Sequence, residues 1–353
     1  MTRNQSNDGM MRAFPLRHVG RTALKVGVLG LGGAPLGDLY ERIPESQARA
    51  TLESAYSRGI RLFDTAPLYG HGLSEHRFGH VLRGKPRNEF VLSTKVGRWL
   101  RPERAERIEH GSFAGGLNFQ PVYDYSYDGT MRALEQSYQR LGMSQIDIVL
   151  IHDVDIWTHG SAEAYDRRFR EAIDGAYRAL DELRRGDVIR AVGAGVNEIA
   201  PCVRFANEGL FDCFLLAGRY TLLEQNGLDD LLPLAERQGF SLLLGGPFNS
   251  GILATGATPG AKYNYKSAPT EIVERVKRID AICKRHEVPL AAAAIQFPLG
   301  HPNVASIIPG AVNVAEVERN SDYIKLPIPR ALWDELKAEN LLAADAPVPM
   351  PAD

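Results

Sequence analysis

Four polar side chains follow three consecutive apolar segments of the sequence, each at or just beyond the point where the segment ends. Asp64 and Tyr69 follow the first segment, Lys95 the second and His152 the third. A carboxylate, a phenol, an ammonium and an imidazole gathered in one place are groups that general acid–base chemistry uses. Taken singly, each has an ordinary structural explanation, such as a polar strand end, a lysine that reaches solvent or a structural histidine. Their shared position at segment ends points to one site.

The segments that must position these side chains alternate between two periodicities. Short apolar runs rich in β-branched residues are followed by stretches with helical spacing, such as 44–58 and 129–141, which end at Gly59 and Gly142. This alternation is typical of repeated βα units around a parallel sheet. Strands are predicted over 26–31, 60–64, 90–94, 146–152, 188–194, 213–216, 241–244 and 305–308. Eight parallel strands close a barrel, so the predicted fold is an α/β, (β/α)8 TIM barrel.

Three further segments complete the predicted architecture. Residues 16–28 are predicted to form a small β-hairpin over the N-terminal mouth of the barrel. Residues 97–128 and 153–169 follow predicted strands and are too long for ordinary βα loops. Long loops at the C-terminal face are where barrels hold their substrates, so 97–128 is expected to be a substrate loop. We predict one domain over 1–353, with an ordered core over 14–342.

Composition and charge favour a soluble enzyme with a small-molecule partner. The chain has 353 residues, of which 44% are hydrophobic, and a formal net charge of -2. The hydrophobic content excludes a disordered chain, and the small net charge excludes an electrostatic field strong enough to attract nucleic acid or anionic lipid. Residues 1–14 contain no apolar signal segment, and no window of about 18 apolar residues occurs, so a cytoplasmic location without membrane association is expected. Cys202, Cys213 and Cys283 lack metal-site spacing and are expected to be reduced. No metal is expected, and the oligomeric state stays open.

The polar residues carry a resemblance to a known family. Asp64 and Tyr69, five positions apart, then Lys95 and His152, match the catalytic tetrad of the aldo-keto reductases in order. The resemblance covers nearly the whole chain and includes the segments 19–22, 29–33 and 308–310. It implies a nicotinamide-dependent oxidoreductase on a barrel.

The resemblance implies a role for each member of the tetrad. Hydride transfer at a carbonyl carbon is coupled to proton transfer at its oxygen, with Tyr69 as the proton donor or acceptor. Asp64 would hold Lys95, and His152 would bind the reacting oxygen. An ammonium about 4 Å from a phenol, at an effective dielectric of ~20, contributes ~4 kcal/mol, or roughly three pH units before desolvation. We therefore expect the Tyr69 phenolate to be accessible near neutral pH.

The resemblance also implies how a dinucleotide is held. The run 29–33 lacks the third glycine of a Rossmann fingerprint and no helix follows it, so that type of binding is rejected. The dinucleotide would instead lie across the barrel mouth, with Asn197 on the nicotinamide carboxamide. The cofactor-binding residues implied are Gly33, Asn197, Gly246, Phe248, Ser250, Gly310, Glu316 and Asn320.

Two departures from the family pattern bear on the cofactor. Many relatives place an aromatic ring under the nicotinamide where this chain has 245–247, Gly-Gly-Pro, which leaves the stacking partner open. Relatives that prefer NADP carry basic residues after the eighth strand, whereas the matching positions here are Gly310 and Glu316. Glu316 would repel a 2′-phosphate and accept a hydrogen bond from a free ribose hydroxyl, so NAD is preferred and NADP is possible. The alternative is that Glu316 points into solvent.

The segments 29–37, 192–198 and 218–223 resemble a branch of the family that oxidises sugars. This branch contains D-threo-aldose and L-fucose dehydrogenases, and pyridoxal 4-dehydrogenase is close to it. The resemblance implies oxidation of the anomeric carbon of an aldose to a lactone, with Tyr69 as the base. Trp99, Tyr125 and Trp157 could form aromatic walls for a sugar ring, or they could pack the loops against the barrel.

Three other functions compete with this assignment. Oxidation of pyridoxal to 4-pyridoxolactone would use the same residues, because pyridoxal also forms a hemiacetal. General aldehyde reduction would run the chemistry in reverse. A non-catalytic barrel that senses nucleotides is the third, but it would be favoured by loss of a tetrad residue or by an apolar assembly tail, and the sequence has neither feature.

Overall fold

The architecture is a closed barrel of parallel strands in a computed structural model that describes residues 14–349. Residues 1–13, most of the segment considered for a signal sequence, lie outside the described residues, as do 350–353. The strands are β1 (Leu16–His18), β2 (Lys25–Gly27), β3 (Leu31–Gly32), β4 (Leu62–Asp64), β5 (Val91–Val96), β6 (Arg98–Pro102), β7 (Phe119–Tyr123), β8 (Ile148–His152), β9 (Ala191–Val196), β10 (Cys213–Ala217), β11 (Ser241–Gly245), β12 (Lys262–Tyr263), β13 (Lys266–Ser267) and β14 (Val304–Ile308).

Eight of these strands form one parallel sheet in the order β14-β11-β10-β9-β8-β5-β4-β3. Parallel bridges from Leu29 to Ile307 and from Gly32 to Gly310 join its two edges. The (β/α)8 barrel predicted from the sequence is therefore confirmed, and each of the eight predicted strands overlaps an observed one.

Helices cover the outside of the barrel. They are α1 (Glu45–Ser57), α2 (Leu73–Leu82), α3 (Tyr127–Leu141), α4 (Ile156–His159), α5 (Ala162–Glu171), α6 (Arg178–Arg185), α7 (Ile199–Glu208), α8 (Leu231–Gln238), α9 (Ile252–Thr255), α10 (Thr270–Arg285), α11 (Leu290–Gln296), α12 (Val314–Tyr323) and α13 (Arg330–Ala338). α3 shows why these segments are helical: the Ser126 side chain accepts a hydrogen bond from the Gly129 N–H, and left-handed Gly142 ends the helix.

The N-terminal hairpin closes the bottom of the barrel, as predicted. β1 pairs antiparallel with β2, and Val19, Leu24 and Val26 are buried against barrel residues such as Ile148. The first predicted strand, 26–31, is divided in two. The Val28 N–H bonds Pro15 O in the hairpin, whereas the Gly30 N–H bonds Ile307 O in the barrel, so the chain passes from one sheet to the other at this point.

The long segment after β5 is not an irregular loop. Its β6 and β7 pair antiparallel, with Arg98 opposite Tyr123 and Pro102 opposite Phe119. The hairpin rises from the C-terminal end of β5, so alternate side chains of β6 face the barrel mouth or helix α3. The segment after β8 is likewise folded, into α4 and α5.

Candidate active site

The C-terminal ends of three neighbouring strands bring the four candidate side chains together. Asp64 ends β4, Lys95 lies near the end of β5 and His152 ends β8. The parallel register pairs Asp64 with Ser93 and Lys95 with Leu150, so these ends lie at one rim of the barrel.

Lys95 and Asp64 form a buried ion pair. The Lys95 Nζ donates to Asp64 Oδ2 at 2.7 Å and to the Thr65 carbonyl at 2.9 Å. The other oxygen, Asp64 Oδ1, accepts from the Ser93 hydroxyl at 2.8 Å. Burial lowers the pKa of Lys95, but the Asp64 carboxylate and the nearby Tyr69 phenol more than offset this effect, and the pKa is raised. Lys95 therefore carries its charge throughout the neutral and mildly alkaline range.

Tyr69 lies over this ion pair on a tight turn. Its ring centroid is 4.7 Å from the Lys95 Nζ and 5.8 Å from the His152 ring, which it meets edge to face. The turn requires glycine beside it, because Gly70 is left-handed and a Cβ there would lie 2.5 Å from the Gly37 carbonyl oxygen. This close contact sets the position of the phenol.

The sequence predicts that the pKa of Tyr69 is lowered, and this prediction is wrong in direction. Desolvation raises the pKa of the phenol to about 12, although the Lys95 ammonium opposes the shift and the Asp64 carboxylate adds to it. The expectation from the sequence treated desolvation as a partial offset to the attraction of Lys95, whereas desolvation is the larger effect, and it left out the negative charge of Asp64 behind the lysine. Tyr69 is therefore a protonated phenol at neutral pH in this form of the protein.

His152 is buried and neutral. Desolvation lowers its pKa well below the ordinary value, and the positive charges of Arg98 and Lys95 lower it further. Its carbonyl accepts a hydrogen bond from the Tyr125 hydroxyl at 2.8 Å. Tyr125 is fully buried, so it supports His152 from behind and offers no wall to a substrate; of the two alternatives left open by the sequence, packing of the loop against the barrel is the one that holds for Tyr125.

Four charged or polar residues form a network beside His152, and of these the sequence had pointed only to Asn197. Arg98 Nη2 donates to Asp153 Oδ2 at 2.8 Å and to the Tyr123 hydroxyl at 3.1 Å. Asp153 Oδ1 accepts from Asn197 Nδ2 at 3.2 Å. Arg98 and Asp153 each lie within three residues of a tetrad member, and that proximity was the available signal.

A cavity of about 440 Å³ extends from Asp64 and Tyr69 across the barrel mouth. Except for Asn197, all the residues expected to hold a dinucleotide line it: Gly33, Gly246, Phe248, Ser250, Gly310, Glu316 and Asn320. Its floor is shaped by glycines. A Cβ on Gly33 would lie 2.7 Å from Ser74 Oγ, and one on Gly310 would lie 2.5 Å from Pro35 Cγ. The backbone at these glycines lines the cavity closely, and Glu316 and Asn320 offer hydrogen-bond acceptors at the far end. Both features are compatible with an extended dinucleotide.

The far end of the cavity is built by the first turns of α12. Glu316 accepts hydrogen bonds from the Val312 N–H at 2.9 Å and from Asn313 Nδ2 at 3.3 Å, and its own N–H bonds Asn313 Oδ1. These contacts resemble a capping box, except that the carboxylate accepts from the N–H of the residue before the N-cap Asn313. The Glu316 side chain is therefore held at the cavity edge instead of extending freely into solvent. Arg319, which was not anticipated, also lines the cavity.

The two tryptophans expected in the substrate wall lie in different places. Trp99 faces α3, where the Arg132 guanidinium packs 4.1 Å from its ring centroid, because Arg98 occupies the inward face of β6. Trp157 is 44% exposed and lies 6.4 Å from the ring of Tyr265, which lines the cavity. Trp157 and Tyr265 are thus the aromatic pair at the mouth, and Trp99 is not part of it.

Comparison with known proteins agrees with this geometry. Residues 28–340 match the model of the Aldo/keto reductase family. The chain belongs to the aldo/keto reductase family. With this assignment, it is an oxidoreductase of a family that uses NAD(P)H.

Two curated relatives of this reductase are similar over almost their full lengths. Pyridoxal 4-dehydrogenase from Microbacterium luteolum is 43% identical over 94% of this chain and 99% of its own. D-threo-aldose 1-dehydrogenase from a Pseudomonas species is 37% identical over 90% of this chain and 95% of its own. The holo form of an aldo-keto reductase from Bacillus halodurans has the same fold, with a TM-score of 0.73 and 24% identity over 94% of this chain and 98% of its own.

The described residues contain neither a cluster of metal-binding side chains nor a helix suited to cross a membrane. Within residues 14–349, no group of three or more His, Cys, Asp or Glu side chains could hold a metal ion. In the same part of the chain, no helix is long and apolar enough to cross a membrane.

Proposed function

We propose that this reductase oxidises the hemiacetal carbon of a small cyclic substrate to a lactone, with NAD as the hydride acceptor. One observation carries the proposal: the buried Asp64–Lys95 pair, the Tyr69 phenol and the neutral His152 imidazole lie together at the end of the cavity that Asp64 and Tyr69 line. Both curated relatives are dehydrogenases whose names give substrates that form cyclic hemiacetals.

The chain's own residues perform the proton transfer in this proposal. The hydroxyl on the hemiacetal carbon gives its proton to the Tyr69 oxygen, while His152 holds the same substrate oxygen by a hydrogen bond. Lys95 stabilises the phenolate that accepts the proton, and Asp64 keeps Lys95 in place. A bound nicotinamide supplies the acceptor for the hydride that leaves the carbon.

The cofactor would be held along the cavity. The Asn197 Nδ2 atom already donates to Asp153 and Asp155, so its Oδ1 is the atom left to accept from the nicotinamide carboxamide. The backbone near Gly246, Phe248 and Ser250 would meet the pyrophosphate, and Asn320 would face the adenine. Glu316 at the cavity edge favours NAD, because its carboxylate would repel a 2′-phosphate.

An aldose is the first candidate substrate. Sugar rings bind with a CH face on an aromatic ring and with hydroxyls on polar groups. Trp157 and Tyr265 offer such rings at the mouth, and the Arg98, Asp153 and Asn197 network offers polar groups beside His152. The L-fucose, D-arabinose and L-galactose series tests this candidate.

Pyridoxal is the second candidate, and the higher identity to pyridoxal 4-dehydrogenase favours it. The hemiacetal of pyridoxal would be oxidised at the same carbon type by the same four residues, and the product would be 4-pyridoxolactone. The pyridine ring is flat and would stack on an aromatic plate such as Tyr265.

Initial rates of NADH formation with the three sugars and pyridoxal, repeated with NADP, test the function. A strong rate with a sugar supports aldose oxidation, and a rate with pyridoxal alone supports the second candidate. No rate with any of them, but consumption of NADPH with aldehydes, would overturn lactone formation. Tyr69→Phe is the matched control, because it keeps the ring in the turn and removes only the hydroxyl.

A further inference from the structure

The polar network beside His152 contains a charge arrangement that the tetrad does not explain. Asp153 adopts a left-handed backbone with φ 54°, which turns its carboxylate toward the neighbouring imidazole. The Asp153 Oδ2 atom lies 3.6 Å from His152 Nε2, too far for a hydrogen bond but within ion-pair range of a protonated imidazole. The imidazole is neutral, however, so no ion pair is formed.

Arg98 takes the place that the imidazole would otherwise fill. Its Nη2 atom holds the same Asp153 Oδ2 at 2.8 Å, and its guanidinium carbon lies 4.4 Å from the Tyr123 ring centroid. Arg98 is 3% exposed, and its Nη1 atom has no hydrogen-bond partner among residues 14–349. Asp153 is therefore the one counter-charge that contacts this guanidinium within the described part of the chain.

We propose that Arg98 is a positioning residue that keeps the Asp153 carboxylate from pairing with His152, so that the Nε2 atom of His152 stays free for the substrate oxygen. The inference rests on the proposed function, in which His152 binds that oxygen. Arg98 also ties the long β6–β7 hairpin to the catalytic rim, since its partner Asp153 bonds Asn197 on the other side.

Other charged groups around His152 do not replace this role. The titratable groups facing it or one contact away are Asp64, Tyr69, Lys95, Arg98, Tyr125, Asp153, Asp155 and His159. Lys95 is held by Asp64, and Asp155 is held by Asn197 and the α4 N-terminus. Asp153 is thus the carboxylate positioned to pair with the imidazole once Arg98 is gone.

Arg98→Met tests the proposal through the pH profile. The variant leaves Asp153 without its arginine partner, so we expect the imidazole to become protonated and paired at higher pH than in the parent, by at least about one pH unit, and the ratio of kcat/KM in the variant to that in the parent to fall as the pH is lowered. Activity at about pH 9, where the imidazole is neutral again, should fall far less than activity at about pH 6. A profile that falls by the same factor at every pH would overturn the proposal, since it would mean a purely structural role.

Three further variants separate charge from packing. Arg98→Lys keeps the charge and should keep the pH profile of the parent enzyme. The double variant Arg98→Met, Asp153→Asn removes both charges and should restore the pH profile of the parent enzyme. A double variant that keeps the altered profile contradicts the proposal, even if the single variant folds poorly. Arg132→Met removes an exposed arginine of α3, which packs on Trp99 at the outer side of the same hairpin, and should leave the profile unchanged.

A substrate-free measurement keeps this inference separate from the proposed function. The nine histidines can be titrated by NMR, with the His152 signal assigned from its loss in His152→Gln. The His152 signal should titrate at higher pH in Arg98→Met than in the parent protein. An unchanged titration would overturn the inference, whereas a shifted titration in a protein inactive on all four substrates would contradict only the proposed function.

Discussion

The Lys95 ammonium and the Asp64 carboxylate meet at 2.7 Å with side chains only 1% and 4% exposed. An ion pair so well removed from water is sensitive to the loss of either partner, because the remaining charge stays buried. It also sets the electrostatic environment of Tyr69, whose ring lies above the ammonium.

Asp64→Asn should destabilise the fold. The substitution leaves the Lys95 ammonium buried without a counter-charge, and we expect the free energy of unfolding to fall by about 3–5 kcal/mol. Chemical denaturation measures the loss. The double variant with Lys95→Met removes both charges and should recover much of the stability, so equal losses in the single and double variants would contradict this account.

Tyr69→Phe should abolish turnover without weakening cofactor binding. The ring stays in its turn, but no hydroxyl is left to exchange a proton with the substrate, and kcat should fall by about 10²–10⁴-fold. Fluorescence titration with NADH should give a Kd close to that of the parent enzyme. Substantial residual kcat would remove Tyr69 from the proposed role.

The rate of oxidation should rise with pH. Desolvation raises the pKa of Tyr69 to about 12, so the base form is scarce at neutral pH and its fraction grows as the pH increases. We expect kcat/KM for the substrate to increase between about pH 7 and about pH 10. A plateau reached at neutral pH would show that the phenol is deprotonated far more easily in the working complex. Lys95→Met removes the charge that lowers the pKa, so at each pH its rate should be smaller.

Cofactor preference should depend on the charge of Glu316. Glu316→Arg replaces a repelling carboxylate with a partner for a 2′-phosphate, and we expect the ratio of kcat/KM for NADP over NAD to rise by at least about tenfold. Glu316→Gln is the control, because its amide oxygen can keep the hydrogen bond from the Val312 N–H while the charge is removed. An unchanged ratio in both variants would place Glu316 away from the ribose.

Tyr125 and Trp157 should differ in the kinetic constants that they affect. Tyr125→Phe removes the hydroxyl that bonds the carbonyls of His152 and Asp153, so we expect a loss of about 1–3 kcal/mol in stability and a lower kcat, with KM little changed. Trp157→Ala removes an exposed ring at the cavity mouth and should raise KM at nearly constant stability. If Tyr125→Phe instead raises KM alone, Tyr125 contacts the substrate after all.

The sequence determined the barrel and the rim on which the candidate site lies. Eight runs rich in β-branched residues that alternate with helical stretches predict one closed parallel sheet. Residues at the C-terminal ends of its strands must then lie at the same end of the barrel. The positions of Asp64, Lys95 and His152 follow from this rule, because the end of each strand can be read from the local pattern and the C-terminal ends of neighbouring parallel strands meet at one rim. Tyr69 was a candidate on the same ground, as a phenol just beyond the strand that ends at Asp64, and the family resemblance supplied its role.

The tertiary structure decided burial, orientation and charge balance. The sequence places Tyr125 and Trp99 in the same segment, but only strand pairing shows that β6 and β7 form a hairpin, that Trp99 faces outward and that Tyr125 lies beneath His152. The pKa of Tyr69 and the Arg98–Asp153 pair also depend on distances between groups that are distant in sequence or carried by different elements. Desolvation and Coulomb energies vary steeply with such distances, and a sequence pattern does not contain them.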